Sequence, residues 1–131
     1  MLIDTVAWLC IRDRRLLCVR TRGKDAFYLP GGKREPGESD WATLTREVAE
    51  EVQVTLERQN AARFGTYRGP AHGHGANAQV QIICYTASYQ GTLSPGREIE
   101  TMVWFTSRDR DRCAPVNQHV LDQLHQKQLI D

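Results

Sequence analysis

Long apolar runs are missing from this chain, so nothing in it approaches the ~20 apolar residues that a membrane-spanning helix needs. No membrane part is expected. Charge of one sign is missing as well: Lys and Arg total 17 against 16 Asp and Glu, for a formal net charge of +1. That balance gives no overall basic field of the kind that binds polymeric nucleic acid, and no acidic tail. Cysteine is sparse. Cys10, Cys18, Cys84 and Cys113 lie far apart without a CxxC pair, which argues against a disulfide framework and reads as small buried thiols in a reducing compartment. The opening MLIDTVAWLC carries Asp4 and lacks the basic flank and longer apolar stretch of a signal peptide. A cytoplasmic protein is the expectation. Repeats, low-complexity tracts and linker-like shifts of composition are absent too, so residues 1–131 are read as one domain, a length that supports one core and leaves no room for a second.

What is present is a succession of strand and helix signals. TVAWLCI, the polar turn RDRR and LLCVRTR predict two strands joined by a tight connection. AFYLP predicts a short strand ended by Pro30. Ser39 or Asp40 can cap the helix that follows, and Trp41, Leu44, Val48 and Val52 recur at spacings of three and four, giving it one buried stripe. ARFGTYRG and AQVQIICYTASY read as strands on either side of the loop PAHGHGAN, IETMVWFT as another strand, and PVNQHVLDQLHQKQLI as a helix with Pro115 in its first turn. Strands, helix, strands, helix predict a mixed sheet covered by helices on its faces, an α/β sandwich.

The chemistry is concentrated in GGKREPGESDWATLTREVAEEVQV, Gly31 to Val54. Glu47, Glu50 and Glu51 stand at i, i+3 and i+4, so one helix face presents three carboxylates whose charges repel. A divalent cation offsets that repulsion. Magnesium takes a few carboxylates, keeps waters and accepts its remaining ligands from phosphates, so an open carboxylate face points to a phosphate-bearing substrate. Arg46 can pair with a carboxylate and orient it. The glycines after the AFYLP strand let the backbone approach a ligand closely, and a loop carbonyl there can complete a metal shell.

This segment resembles the signature of the Nudix hydrolases, the MutT-type family. Gly32, Glu38, Arg46, Glu47, Val48, Glu50, Glu51 and Val54 fall on the family pattern without a gap, and Glu35 with Gly37 matches its extended form GGxxExGE. One position departs: Gln53 stands where the family has a glycine that ends the helix in a left-handed conformation. The resemblance implies a Nudix-type α/β/α sandwich with a mixed sheet, and a hydrolase that cleaves a diphosphate linkage in a nucleoside diphosphate joined to another group. It further implies Mg2+ or Mn2+ as cofactor. Carried over by position, Glu47, Glu50 and Glu51 would be metal ligands with the carbonyl of Gly31, while Glu38 and Arg46 would support the loop and helix of the catalytic group. A nucleotide-type small molecule is the implied substrate, with a nucleoside triphosphate the leading candidate. ADP-ribose, a nucleotide sugar or a dinucleoside polyphosphate is the alternative, because the signature handles the diphosphate and says little about either end. A catalytically silent nucleotide sensor is a further alternative, although such proteins tend to lose ligand glutamates. Either a monomer or a homodimer is compatible with the sequence.

Outside the signature the readings stay open. Glu98 or Glu100 can supply a further ligand or a base, as a glutamate beyond the signature does in parts of the family, or can be a strand-edge surface charge. Arg20, Arg22 and Lys24 precede the glycine loop and can hold distal phosphates, or be ordinary surface charge. His72 and His74 fall short of a zinc ligand set and read as a loop near the pocket mouth, with a phosphate or base contact as the alternative. Asn117 resembles the P-x-N segment through which MutT-type enzymes that prefer oxidised guanine nucleotides read the purine. Its other reading is a helix cap.

Overall fold

The computed structural model describes residues 1–71, 75 and 77–131. His72 and His74 lie outside the described residues. The chain runs β1 (Leu2–Trp8), β2 (Ile11–Arg12), β3 (Arg15–Thr21), β4 (Gly31–Lys33), α1 (Asp40–Val52), β5 (Thr55–Leu56), β6 (Ala62–Pro70), β7 (Gln79–Thr86), β8 (Tyr89–Gln90), β9 (Ile99–Phe105) and α2 (Pro115–Gln126), with short 3-10 turns at Arg58–Asn60 and Ser107–Arg112. Strands β4, β1, β7 and β6 form a mixed sheet in that order, in which β1 runs parallel to β7 and antiparallel to β4. Strands β2, β3 and β9 form an antiparallel sheet beside it, and β5 pairs with β8.

Both helices use these sheets as a floor, which explains why the central strands are apolar on successive residues. Side chains alternate faces along a strand. Val6 and Trp8 of β1 and Leu17 and Val19 of β3 pack with Leu44, Val48 and Val52 of α1. Ala7 of β1, the following Leu9, and Leu16 and Cys18 of β3 pack with Val116, Val120, Leu121 and Leu124 of α2. A strand buried on both faces must be apolar throughout. All four cysteines are buried free thiols.

Two expectations need correction. TVAWLCI is not one strand: β1 ends at Trp8, Leu9 N–H donates to the Tyr85 carbonyl, and Cys10 accepts from Leu17 N–H, so the chain changes sheets in the middle of an apolar run. The hairpin joins β2 to β3, with Asp13 and Arg14 both at positive φ, as a turn matched to strand twist requires. AFYLP forms only isolated bridges, Val19 to Tyr28 and Phe27 to Cys113. No helix among the described residues is long and apolar enough to cross a membrane.

Candidate active site

The α1 helix begins where Ser39 accepts a hydrogen bond from Ala42 N–H, and the loop before it is fastened to the helix by one arginine. Arg46 donates through Nε and Nη2 to the two oxygens of Glu38 at 2.9 and 2.8 Å. Its remaining donors go to Glu47 at 2.8 Å and to the Lys33 carbonyl at 3.2 Å. Glu38 also accepts from the Glu35 N–H and the Thr43 hydroxyl. With the Arg46 guanidinium as the largest influence, its carboxyl is held down at about 2. A planar fork with five donors suits this work.

The glycines let β4 lie close against both β1 and α1. Gly31 has φ +152, and a Cβ there would lie 2.2 Å from the Val6 carbonyl oxygen; a Cβ on Gly32 would lie 2.5 Å from the Glu47 carboxylate. Gly31 N–H then donates to Glu51 Oε1 at 3.0 Å. Burial nevertheless pushes the Glu51 carboxyl up to about 8, against that hydrogen bond and with the charges of Glu47, Glu50 and Glu98 adding to the rise. Burial also raises Glu47, opposed by Arg46.

Two cavities meet at this helix. One, of about 270 Å3, is lined by Thr21, Glu47, Glu50, Glu51, Arg97, Glu98 and Ile99. The other, of about 280 Å3, lies between the two sheets; its walls include the aliphatic side chains Ile3, Val19, Val80, Ile82 and Val116, and its polar lining includes Asn117, Lys24, Lys33, Tyr28 and Glu51. Thr21 and Glu51 line both.

The structure therefore brings together the three helix glutamates and Glu98, which a sequence gap of more than 40 residues separates from them. Glu100 instead pairs with Arg20 at 2.7 Å. Arg20 also donates to Thr101 and the Lys24 carbonyl, and neither it nor Arg22 lines either cavity. Of the three cations named from the sequence, Lys24 alone does so. Asn117 is not the cap of α2: that position is Ala114, and Asn117 is buried two residues inside the helix, where its Oδ1 accepts from Leu29 N–H at 2.9 Å. Its amide NH2 is left, among the described residues, for the occupant of the cavity.

Sequence reasoning missed Arg97, Thr21, Tyr28 and Lys33, all of which line a cavity. Only Arg97 carried a signal, its place beside Glu98. Gln53 adopts the left-handed conformation of the glycine it replaces, φ 61 and ψ 37, with its N–H donating to the Val48 carbonyl.

Among the described residues no three metal-binding side chains are already gathered on one point. One oxygen of Glu47 accepts from Arg46 and one oxygen of Glu51 from Gly31 N–H. The donor set still fits a hard divalent cation: four carboxylates share one cavity, and Glu51 is too buried to ionise readily without a positive charge beside it.

The model of the NUDIX domain family matches residues 1–124. The chain belongs to this family and carries a Nudix hydrolase domain. Its fold is shared with the E. coli ORF135 protein (TM-score 0.73, 23% identity, 95% of this chain and 91% of that one). It is also shared with a MutT Nudix hydrolase from Burkholderia pseudomallei (TM-score 0.71, 21% identity, 94% and 95%). The MutT protein of Methanosarcina mazei is similar at TM-score 0.73 and 16% identity, over 97% of this chain and 95% of that one. Comparison with curated proteins finds no match.

Proposed function

We propose that the protein is a divalent-cation-dependent nucleoside triphosphate pyrophosphohydrolase. The observation that carries this reading is the adjacency of two cavities of unlike chemistry that share Thr21 and Glu51. The carboxylate cavity suits a phosphate chain with its cations, and the apolar cavity with one buried asparagine suits a nucleobase. Glu47, Glu50, Glu51, Glu98 and the Gly31 carbonyl are the groups that would hold Mg2+ or Mn2+. When bound, the cation supplies charge neutralisation for the phosphates and acidifies a water for attack at phosphorus.

The chain's own residues do the rest. Arg46 and Glu38 fix the glycine loop to α1, so the Gly31 backbone and Glu51 keep their spacing. Lys24 stands at the cavity lined by Asn117, where its ammonium can meet an anionic group. Asn117, oriented by Leu29 N–H, offers its amide hydrogens to a base edge. The aliphatic walls exclude water from that base and orient it by shape.

The test is incubation of the purified protein with Mg2+ and a panel of purine and pyrimidine nucleoside triphosphates, ADP-ribose and nucleotide sugars, with the products identified by chromatography. Nucleoside monophosphate and pyrophosphate from a triphosphate, abolished by a chelator, is the expected result. Turnover confined to ADP-ribose or a nucleotide sugar would instead establish the alternative substrate class.

A further inference from the structure

The segment between β8 and β9 is strapped to the end of α1. Ser94 N–H donates to the Val52 carbonyl at 3.1 Å and Gly96 N–H to the Glu51 carbonyl at 2.7 Å. Gly96 lies so close that a Cβ on it would come within 1.8 Å of the Glu50 carbonyl oxygen. Gln53 adds a side-chain clasp, its Nε2 donating to Ser94 Oγ at 3.1 Å and to the Pro95 carbonyl at 2.9 Å. On the far side, Arg22 N–H donates to the Glu98 carbonyl at 2.8 Å. Arg97 thus stands on a segment fixed at both ends.

Three other arginines near the site are already occupied, and Arg22 does not line the carboxylate cavity. Arg46 is taken by Glu38 and Glu47, Arg20 by Glu100, and Arg34 by Asp4 and Asp40. Arg97 lines the cavity that holds Glu47, Glu50, Glu51 and Glu98, yet among the described residues no hydrogen bond or ion pair engages its guanidinium. A guanidinium offers planar, paired donors that match phosphate oxygens. Among the described residues it is the one cationic side chain on that cavity's wall.

We infer that Arg97 binds the phosphate chain of the substrate, and that Gln53, standing where the family has glycine, is a positioning residue that holds the Arg97 segment on α1. This rests on the nucleotide reading above. It assigns to the departure at position 53 a role that a glycine could not fill, since a glycine has no side chain to reach Ser94 and Pro95.

The experiment uses magnesium pyrophosphate as the probe, titrated calorimetrically into the wild type, Arg97→Gln, Arg97→Lys and Gln53→Ala. Charged hydrogen bonds of this kind predict that Arg97→Gln weakens binding by about tenfold or more, with Arg97→Lys recovering part of the loss. Binding of Mn2+ alone, read by electron paramagnetic resonance, is not weakened by Arg97→Gln, because only a cation has been removed. Gln53→Ala weakens pyrophosphate binding by roughly two- to threefold and speeds amide exchange across 94–98. On any nucleotide that is turned over, both positions raise KM more than they lower kcat. Equal pyrophosphate affinity in wild type and Arg97→Gln overturns the assignment of Arg97; unchanged exchange and affinity in Gln53→Ala overturn that of Gln53. Because the titration needs no turnover, pyrophosphate binding through Arg97 in a protein that hydrolyses no nucleotide would support this inference and overturn the proposed function instead.

Discussion

The two cavities are nearly equal in volume, about 270 and 280 Å3, and opposite in making. The first draws its chemistry from one helix and one strapped segment: Glu47, Glu50 and Glu51 on α1, with Arg97 and Glu98 just before β9. The second is assembled from β1, β3, β4, β7 and the start of α2, elements spread over most of the chain. Charge chemistry is therefore encoded by spacing, and recognition by topology. Glu51 stands on the boundary and feels both sides, since apolar burial raises its carboxyl while Gly31 N–H holds it down.

The comparison breaks most visibly at Glu51. Glu51→Gln keeps shape and removes a charged oxygen, so turnover of a confirmed substrate is expected to fall by about 100-fold or more. Steady-state kinetics check this. The same variant sharpens the electrostatic side of the account. The folded carboxyl, at about 8, lies above its unfolded value of ~4.5, so stability is fully present below pH ~4.5 and is lost as pH rises through ~8. In a chelator, the wild type should lose on the order of 4 kcal/mol over that range relative to Glu51→Gln. Denaturant unfolding at pH 5 and pH 9 measures it, and parallel pH slopes would refute the burial argument.

Asn117→Ala acts in the other cavity. Removing an oriented amide should lower kcat/KM for the base class it reads by roughly 1 to 3 kcal/mol, with little effect on the other class. Equal losses on purine and pyrimidine substrates would mean that Asn117 serves only to satisfy Leu29 N–H. Glu38→Gln probes the clamp between loop and helix. The depressed Glu38 carboxyl contributes stability above pH ~4.5 that is lost as pH falls toward about 2. The variant should flatten this acid limb in melting curves between pH 2 and pH 5. Gln53→Gly is the smallest case: relief of left-handed strain, ~1 kcal/mol, is offset by loss of the side-chain bonds to Ser94 and Pro95, so the melting temperature should barely move.

How much of this was legible in the sequence follows the same division. The α1 stripe, its Ser39 cap and the glutamate spacing are local facts, and the structure places those side chains together as read. The left-handed residue at 53 was legible for the same reason. The break between β1 and β2 was not, because Leu9 and Cys10 continue an apolar run and only their hydrogen bonds to Tyr85 and Leu17 reveal the change of sheet. Arg20 illustrates another limit. Its nearness to the glycine loop in sequence suggested phosphate, whereas the pairing of β3 with β9 places Arg20 opposite Thr101 and within reach of Glu100. From the sequence Asn117 reads as a helix cap or as a base reader; the helix starts at Pro115 with Ala114 before it, which removes the cap reading.

The central claim is that phosphate and cation occupy the carboxylate cavity while the base occupies the apolar one. A crystal structure with Mn2+ and a non-hydrolysable nucleoside triphosphate tests it directly, using the anomalous signal of manganese to fix the cation. The account predicts manganese against Glu47, Glu50 and Glu51, phosphate oxygens beside Arg97, and the base within hydrogen-bonding distance of the Asn117 amide. Manganese elsewhere, or a base lying outside the cavity between the sheets, would contradict it.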